Sequence, residues 1–212
     1  MIKKVIFFMF SFSGGGAERT ILNIINHIDK KKFDIHLVLG TTKNNDYLQF
    51  ISDGIKVHVL DCVKLRFSIF KLRKYILKEK PDLLFSTINA NNIVLLLARF
   101  LTFKKIKTIV REANHRTQSG KVSLWNKILT FLLYNFIATK VIALSNGVKN
   151  DLTSNFKINE NKIQVIYNPV DVENIQKLSA EEISDLDTRA SEKLVVAVGR
   201  LVDQKDFDTL IK

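Results

Sequence analysis

Seven short apolar runs recur along the chain, at 4–10, 34–40, 55–60, 82–87, 107–112, 140–144 and 162–167. They are rich in Val, Ile, Leu and Phe, and most are apolar at odd and even positions alike. A strand with one wet face alternates polar and apolar residues. A strand apolar on both sides is covered on both, as in a parallel sheet between helices. Stretches with helical period separate the runs, at 17–29, 46–53, 66–79, 90–102, 122–138 and 146–155. Strands alternating with helices join through right-handed crossovers. The expected fold is therefore α/β, a doubly wound and mostly parallel sheet of Rossmann-like type.

The pattern changes after residue 171. The segment 172–192, with its "SAEEISDLDTRASEK", is acidic and polar and reads as a linker or a surface helix. "KLVVAVGR" (193–200) then reads as a fresh strand, and "FDTLIK" opens another helix. One strand and part of a helix bury too little surface to stand alone. The expected organisation is a domain over 1–171, a linker over 172–192, and the start of a second domain over 193–212.

Charge follows the same division. Residues 1–166 carry 27 Lys and Arg against 11 Asp and Glu, whereas 167–212 carry 6 against 10. A basic body calls for an anionic partner or a lipid surface, or reflects solubility alone. Neither an RNA-recognition aromatic motif nor a helix-turn-helix signature is present, so nucleic acid is not expected. Cys62 is the only cysteine, which rules out an internal disulfide and suits a reducing compartment. The start, "MIKKVIFFMF", mimics a signal peptide, but its apolar part is short and glycine and Glu18 follow, so it reads as a first strand. No stretch reaches the ~18 apolar residues of a membrane-spanning helix.

"SGGGAER" (13–19) stands between the first strand and the first helix. A glycine turn there lets a phosphate approach the backbone, and the positive end of the next helix stabilises its charge. The spacing is neither that of the dinucleotide fingerprint nor that of a P-loop. A plain strand-to-helix turn explains the triplet equally well on its own.

With "ALSNGVKNDL" (143–152), "VIYNPVD" (165–171) and "VAVGRLVDQKDFDTLIK" (196–212), this loop makes four segments in an order that resembles glycosyltransferase family 4, of the GT-B fold. The resemblance is closest to bacterial enzymes that extend lipid-linked oligosaccharides, including N-acetylhexosaminyltransferases. It implies two Rossmann-like domains facing across a cleft. The first would hold a glycan or polyprenyl-linked saccharide acceptor, and the second a nucleotide-sugar donor. Transfer would retain the anomeric configuration and need no obligatory metal or other cofactor. The absence of an Asp-x-Asp cluster or a His/Cys set at ligand spacing agrees.

The resemblance also assigns residues. Gly14, Gly15 and Gly16, with Arg200 and Lys205 in "GRLVDQK", are the donor-phosphate candidates, since an arginine fork and a lysine charge suit a diphosphate. "TIVREANHRTQSGK" (108–121) is a strand running into a polar loop. The family's usual histidine aligns with Ala113, and His115 lies two places on, on the same side if the chain stays extended. His115 and Glu112 are thus the catalytic candidates, and Asn114 and Arg116 the substrate-binding ones. Against this, His115 reads equally well as an exposed loop histidine, and Glu112 and Asn114 as scaffolding. In "STINANN" (86–92), Ser86, Asn89 and Asn92 suit helix caps, and Ser86 and Asn89 are further acceptor-binding candidates. Asn168 and Pro169 mark the hinge between domains. His27, His36 and His58 read as structural.

"RFSIFKLRKYILKEK" (66–80) mixes Phe67, Phe70, Leu72, Ile76 and Leu77 with six cations, and "RFLTFKKIK" (99–107) adds another basic cluster. Such a helix packs its apolar stripe on the sheet and offers its cationic side to an anionic membrane. The expected location is cytoplasmic, peripheral on the inner face of the cytoplasmic membrane. Because the family's paired glutamates of the second domain are not in this sequence, the 212-residue chain by itself is expected to transfer sugar poorly. The rival reading is a non-catalytic Rossmann-type module that binds an anionic ligand.

Overall fold

The computed structural model describes residues 2–117, 122–181, 196–199 and 206–211. They fall into two compact units, Met1–Val170 and Asp171–Lys212.

All seven expected strands form in the first unit: β1 (Lys3–Met9), β2 (Phe33–Leu39), β3 (Lys56–Val59), β4 (Leu83–Thr87), β5 (Lys107–Glu112), β6 (Lys140–Ala143) and β7 (Ile163–Val165). They make one sheet in the order β3-β2-β1-β4-β5-β6-β7, parallel throughout. The Lys3–Met9 segment that mimics a leader is an inner strand of this sheet, between β2 and β4.

Five helices complete it: α1 (Gly16–His27), α2 (Ser68–Glu79), α3 (Asn89–Phe100), α4 (Leu124–Leu132) and α5 (Asn146–Phe156). The crossovers decide their sides. Chain order runs one way from β1 to β3 and the other way from β4 to β7, so right-handed connections place α1 on one face and the rest on the other. The cores agree. Ile21, Leu22 and Ile25 of α1 pack with Val5, Phe7, Met9, Ile35 and Leu37. On the far side Leu72 and Ile76 of α2 and Val94 and Leu95 of α3 meet Ile6, Phe8, Val38 and Leu84, with Cys62 buried among them. A third cluster joins Leu96, Leu133, Tyr134, Leu152 and Phe156 to Val110 and Val141.

Three expected helices come out differently. The segment 46–53 holds only a 3₁₀ turn, Asp46–Phe50. The segment 66–79 opens with a 3₁₀ turn before α2. The single helix over 122–138 is α4 followed by a π-turn, Leu133–Ile137. Leu133 and Tyr134, four residues after Leu129 and Thr130, face the core, and the π-turn inserts its extra residue after them.

The second unit contains α6 (Val172–Ser179), within the segment read as linker or surface helix, and α7 (Phe207–Ile211). Asp171 caps α6, its side chain accepting from Asn174 N. Of the expected strand 193–200 only 196–199 are among the described residues, and those four are not in a strand.

Candidate functional site

In an open α/β sheet, the crevice for a ligand opens where strand order reverses, beyond the carboxyl ends of the strands. Here that point lies between β1 and β4. The glycine loop leaves β1 and the "STINANN" turn leaves β4, so the two flank the crevice.

α1 begins with Gly15 as its N-cap, in extended conformation and with no side-chain cap. The first N–H groups of a helix have no partner within it. A Cβ built on Gly14 or Gly16 meets no atom within 4 Å, whereas one on Gly15 would collide with the Glu18 carboxylate. Glu18 thus folds back over the positive end of its own helix. Arg19 points outward, its guanidinium 5.8 Å from the centre of the Tyr47 ring. The loop is held from the β2 side, where Asn45 Oδ1 accepts from Phe12 N at 2.8 Å.

Beneath the loop lies a polar floor. Thr20 Oγ1 donates to the Gly16 carbonyl at 2.9 Å and approaches Asn168 Oδ1 at 3.4 Å. Asn168 also accepts from Arg111, whose other terminal nitrogen donates to Thr87 Oγ1 at 2.9 Å. Arg111 is 3 % exposed, and burial pulls its pKa down. Charge on an odd position of β5 is therefore used to pin the segment after β7 under α1. Asn168, read from sequence as a hinge residue, is one end of that connection.

The even side of β5 carries Glu112, which is buried with Tyr134 of the π-turn. Tyr134 donates its hydroxyl to Glu112 Oε1. Asn92 Nδ2 donates to the same oxygen at 3.2 Å and to the Arg111 carbonyl at 3.0 Å. Asn89 Nδ2 reaches it at 3.3 Å, and Ser86 Oγ donates to Asn92 Oδ1 at 2.6 Å. Burial raises the Glu112 pKa, against the lowering by these donors and by Arg116. Ser86, Asn89 and Asn92 do not cap α3. Its N-cap is Ile88, at φ 71°, which has no capping side chain. A β-branched residue in that region is strained, and the turn aims the three polar side chains inward.

Beyond Glu112 the chain turns over α5, and Asp151 organises it. Asp151 Oδ2 accepts from Arg116 N at 2.8 Å, and Oδ1 accepts from Thr117 Oγ1 and Asn155 Nδ2, each at 2.7 Å. Burial pushes the Asp151 pKa up, but these hydrogen bonds outweigh it and hold the carboxyl below its usual value. His115 Nδ1 lies 3.6 Å from Asp151 Oδ2 and 3.3 Å from Thr117 Oγ1. The Arg116 guanidinium turns inward to Thr130 Oγ1 at 3.1 Å and Asn126 Oδ1 at 2.9 Å, 4.1 Å from the centre of the Phe156 ring.

The structure thus gathers Gly14, Gly15, Gly16, Ser86, Asn89, Glu112, Asn114, His115 and Arg116 along one carboxyl edge. Their surroundings differ. Asn114 is exposed and His115 half-buried, while Ser86, Glu112 and Arg116 are buried among protein partners. Arg200 and Lys205 lie outside the described residues. Arg111, Tyr134 and Asp151 escaped the sequence reading. Arg111 had a signal, a cation inside an otherwise apolar run. Tyr134 and Asp151 had none, because their roles depend on β5.

Residues 14–174 match the model of Glycosyltransferase Family 4. The whole chain aligns, at 29 % identity over 226 residues, with 59 % of N-acetylgalactosamine-N,N'-diacetylbacillosaminyl-diphospho-undecaprenol 4-alpha-N-acetylgalactosaminyltransferase from Campylobacter jejuni. In structure it resembles Anabaena Alr3699/HepE in complex with UDP-glucose, with a TM-score of 0.63 at 19 % identity over 83 % of this chain and 48 % of that one. UDP-GlcNAc 2-epimerase from Methanocaldococcus jannaschii gives 0.56 at 20 % identity, over 79 % and 46 %. At such identities the solved structures speak for the fold alone, and an epimerase among them shows one fold serving different chemistry. The chain spans 59 % of the curated relative and about half of each of these solved structures.

Proposed function

The chain belongs to glycosyltransferase family 4, and from that premise we propose that it is the acceptor-side part of an enzyme that moves a sugar from a nucleotide-sugar to a lipid-linked saccharide. The proposed transfer retains anomeric configuration and needs no obligatory metal. It serves surface polysaccharide or glycoconjugate synthesis at the inner face of the cytoplasmic membrane. The Campylobacter relative, named for an acceptor on diphospho-undecaprenol, supports a polyprenyl-linked acceptor.

One observation carries the reading. The open glycine loop and the loop after Glu112 stand on the same carboxyl edge, at and beside the switch point of one parallel sheet. The first offers the amino end of α1 to a diphosphate, which takes the place of the Glu18 carboxylate that folds over it here. The second supplies His115 and Asn114 next to it, where a sugar hydroxyl would react. Glu112 acts as a positioning residue in this scheme, since Tyr134, Asn92 and Asn89 occupy its carboxyl.

Gly14 and Gly16 offer a clean test, because a Cβ added at either meets open space. Equilibrium binding of a UDP-sugar and of a short-chain polyprenyl-diphosphate disaccharide would be measured separately. Gly16→Val should weaken at least one diphosphate ligand by about tenfold or more with the circular dichroism unchanged, a loss of about 1.4 kcal/mol. Asn114→Ala should weaken the saccharide alone. A wild-type chain that binds neither ligand, or a Gly16→Val chain that binds both as tightly, overturns the assignment. Transfer of label from the UDP-sugar into butanol-extractable product, measured in parallel, separates an enzyme from a module that only binds.

A further inference from the structure

Helix α4 is inverted relative to a normal surface helix. Its inner side carries Asn126 and Thr130, both bonded to Arg116, beside Leu129 packed on the core. Its outer side carries Leu124, Trp125, Ile128, Phe131 and Leu132, and the π-turn adds Phe136. These positions follow the spacing of one helix face, and all six are exposed, Trp125 by 81 % and Phe136 by 69 %. The Phe131 and Phe136 rings stand edge to face at 6.2 Å. A solvated helix turns its polar residues outward. Packing among the described residues of this unit gives no reason for the reverse, and an exposed apolar face of this kind marks a binding surface.

The surroundings select the occupant. α4 and the π-turn carry no acid and a single cation, Lys127, and the cationic α2 lies on the same side of the sheet. A face of Trp, Phe and Leu free of acids, in the same layer as a cationic helix, suits the boundary between anionic headgroups and acyl chains. Position agrees as well. Arg116 fastens α4 to the loop after β5, so lipid under α4 would lie beside the ligand edge. We propose that the outer face of α4, with Phe136, inserts shallowly into an anionic membrane surface. α2, within the sequence's own candidate 66–80, buries Leu72 and Ile76 in the core and exposes Phe70 among cations, as the turn before it exposes Phe67. Its part is attraction, and insertion belongs to α4. The inference rests on the proposed lipid-linked acceptor only for the reason a membrane is near.

Trp125 is the only tryptophan, so its fluorescence reports the contact directly. The 212-residue chain would be mixed with phosphatidylcholine vesicles containing roughly 30 % phosphatidylglycerol, with no donor or acceptor present. The expected result is a blue shift and quenching by lipids brominated near the headgroup end of the acyl chain. Phe131→Ser with Phe136→Ser should lower vesicle partitioning by about tenfold or more, with unchanged circular dichroism. Phe67→Ser with Phe70→Ser should leave the quenching in place. Absence of shift and quenching in the wild type overturns the inference, without any variant having to fold. So does equal partitioning by the α4 variant, or loss of quenching in the α2 variant. A concentration-dependent dimer that dissociates in the α4 variant, with no vesicle binding, assigns the face to a second copy and also overturns it. Saccharide binding without vesicle binding removes this inference alone, and vesicle binding without saccharide binding removes only the proposed function.

Discussion

Glu112 and Asp151 sit at the two ends of one loop arrangement, and their surroundings push them in opposite directions. Burial dominates at Glu112 and raises its pKa, so the folded state holds the proton more tightly than the unfolded chain. Its contribution to stability therefore falls as pH rises above the ordinary carboxylate range. Glu112→Gln removes the titration while keeping an acceptor for Tyr134. The stability of Glu112→Gln relative to wild type should rise between about pH 4.5 and 7.5, by at most about 1.4 kcal/mol per pH unit. Urea melts at the two values check it, and parallel behaviour would refute it. At Asp151 four hydrogen bonds outweigh burial and the pKa is lowered, so its stabilisation is present above the ordinary value and fades as pH falls. Asp151→Ala should cost roughly 2–3 kcal/mol at neutral pH. Amide exchange at Arg116 and Thr117 should quicken in the same variant, while exchange in β1 scales only with the global loss. Glu112 was legible in sequence as an acid at the end of an apolar run. Its burial agrees with the scaffolding reading, but its partner was not legible, because Tyr134 is distant along the chain and arrives only through packing.

Among elements, the π-turn after α4 matters most to the candidate site. Leu133 and Tyr134, one turn on from Leu129 and Thr130, both face inward at its start, and Tyr134 reaches the end of β5. Tyr134→Phe should cost about 1–3 kcal/mol, since it strips one donor from a buried carboxyl. Combined with Glu112→Gln in a double-mutant cycle, it should show a coupling of at least about 0.5 kcal/mol, as residues in direct contact do. Additive losses would mean that the contact contributes nothing of its own. Strand positions were legible to within two residues, because a strand apolar on both sides is a local signal. Turn types were not. The 3₁₀ turn Asp46–Phe50, the π-turn and the strained Ile88 each answer to what packs beside them.

For the molecule as a whole, the first unit has its own cores and a complete parallel sheet. A chain ending at Val170 should therefore unfold in one transition, within about 5 °C of the midpoint of the same sheet in the longer chain. Calorimetry of both forms checks this, and failure of the shorter one to fold would show that the second unit supplies essential contacts. Composition and periodicity alone determined the α/β class, the seven strands, and the place of the glycine loop between the first strand and helix. They are written in neighbouring residues, whose alternation and turn chemistry act over a few positions. Only the tertiary structure decided which polar residues face one another. Arg111 under α1, Tyr134 against Glu112 and Asp151 beneath the His115 loop are pairs far apart in sequence, joined because buried polar groups must find partners. The same holds for α4, whose residues spell an amphipathic helix but do not say which face looks out, since orientation is set by the Arg116 anchor and not by the helix itself.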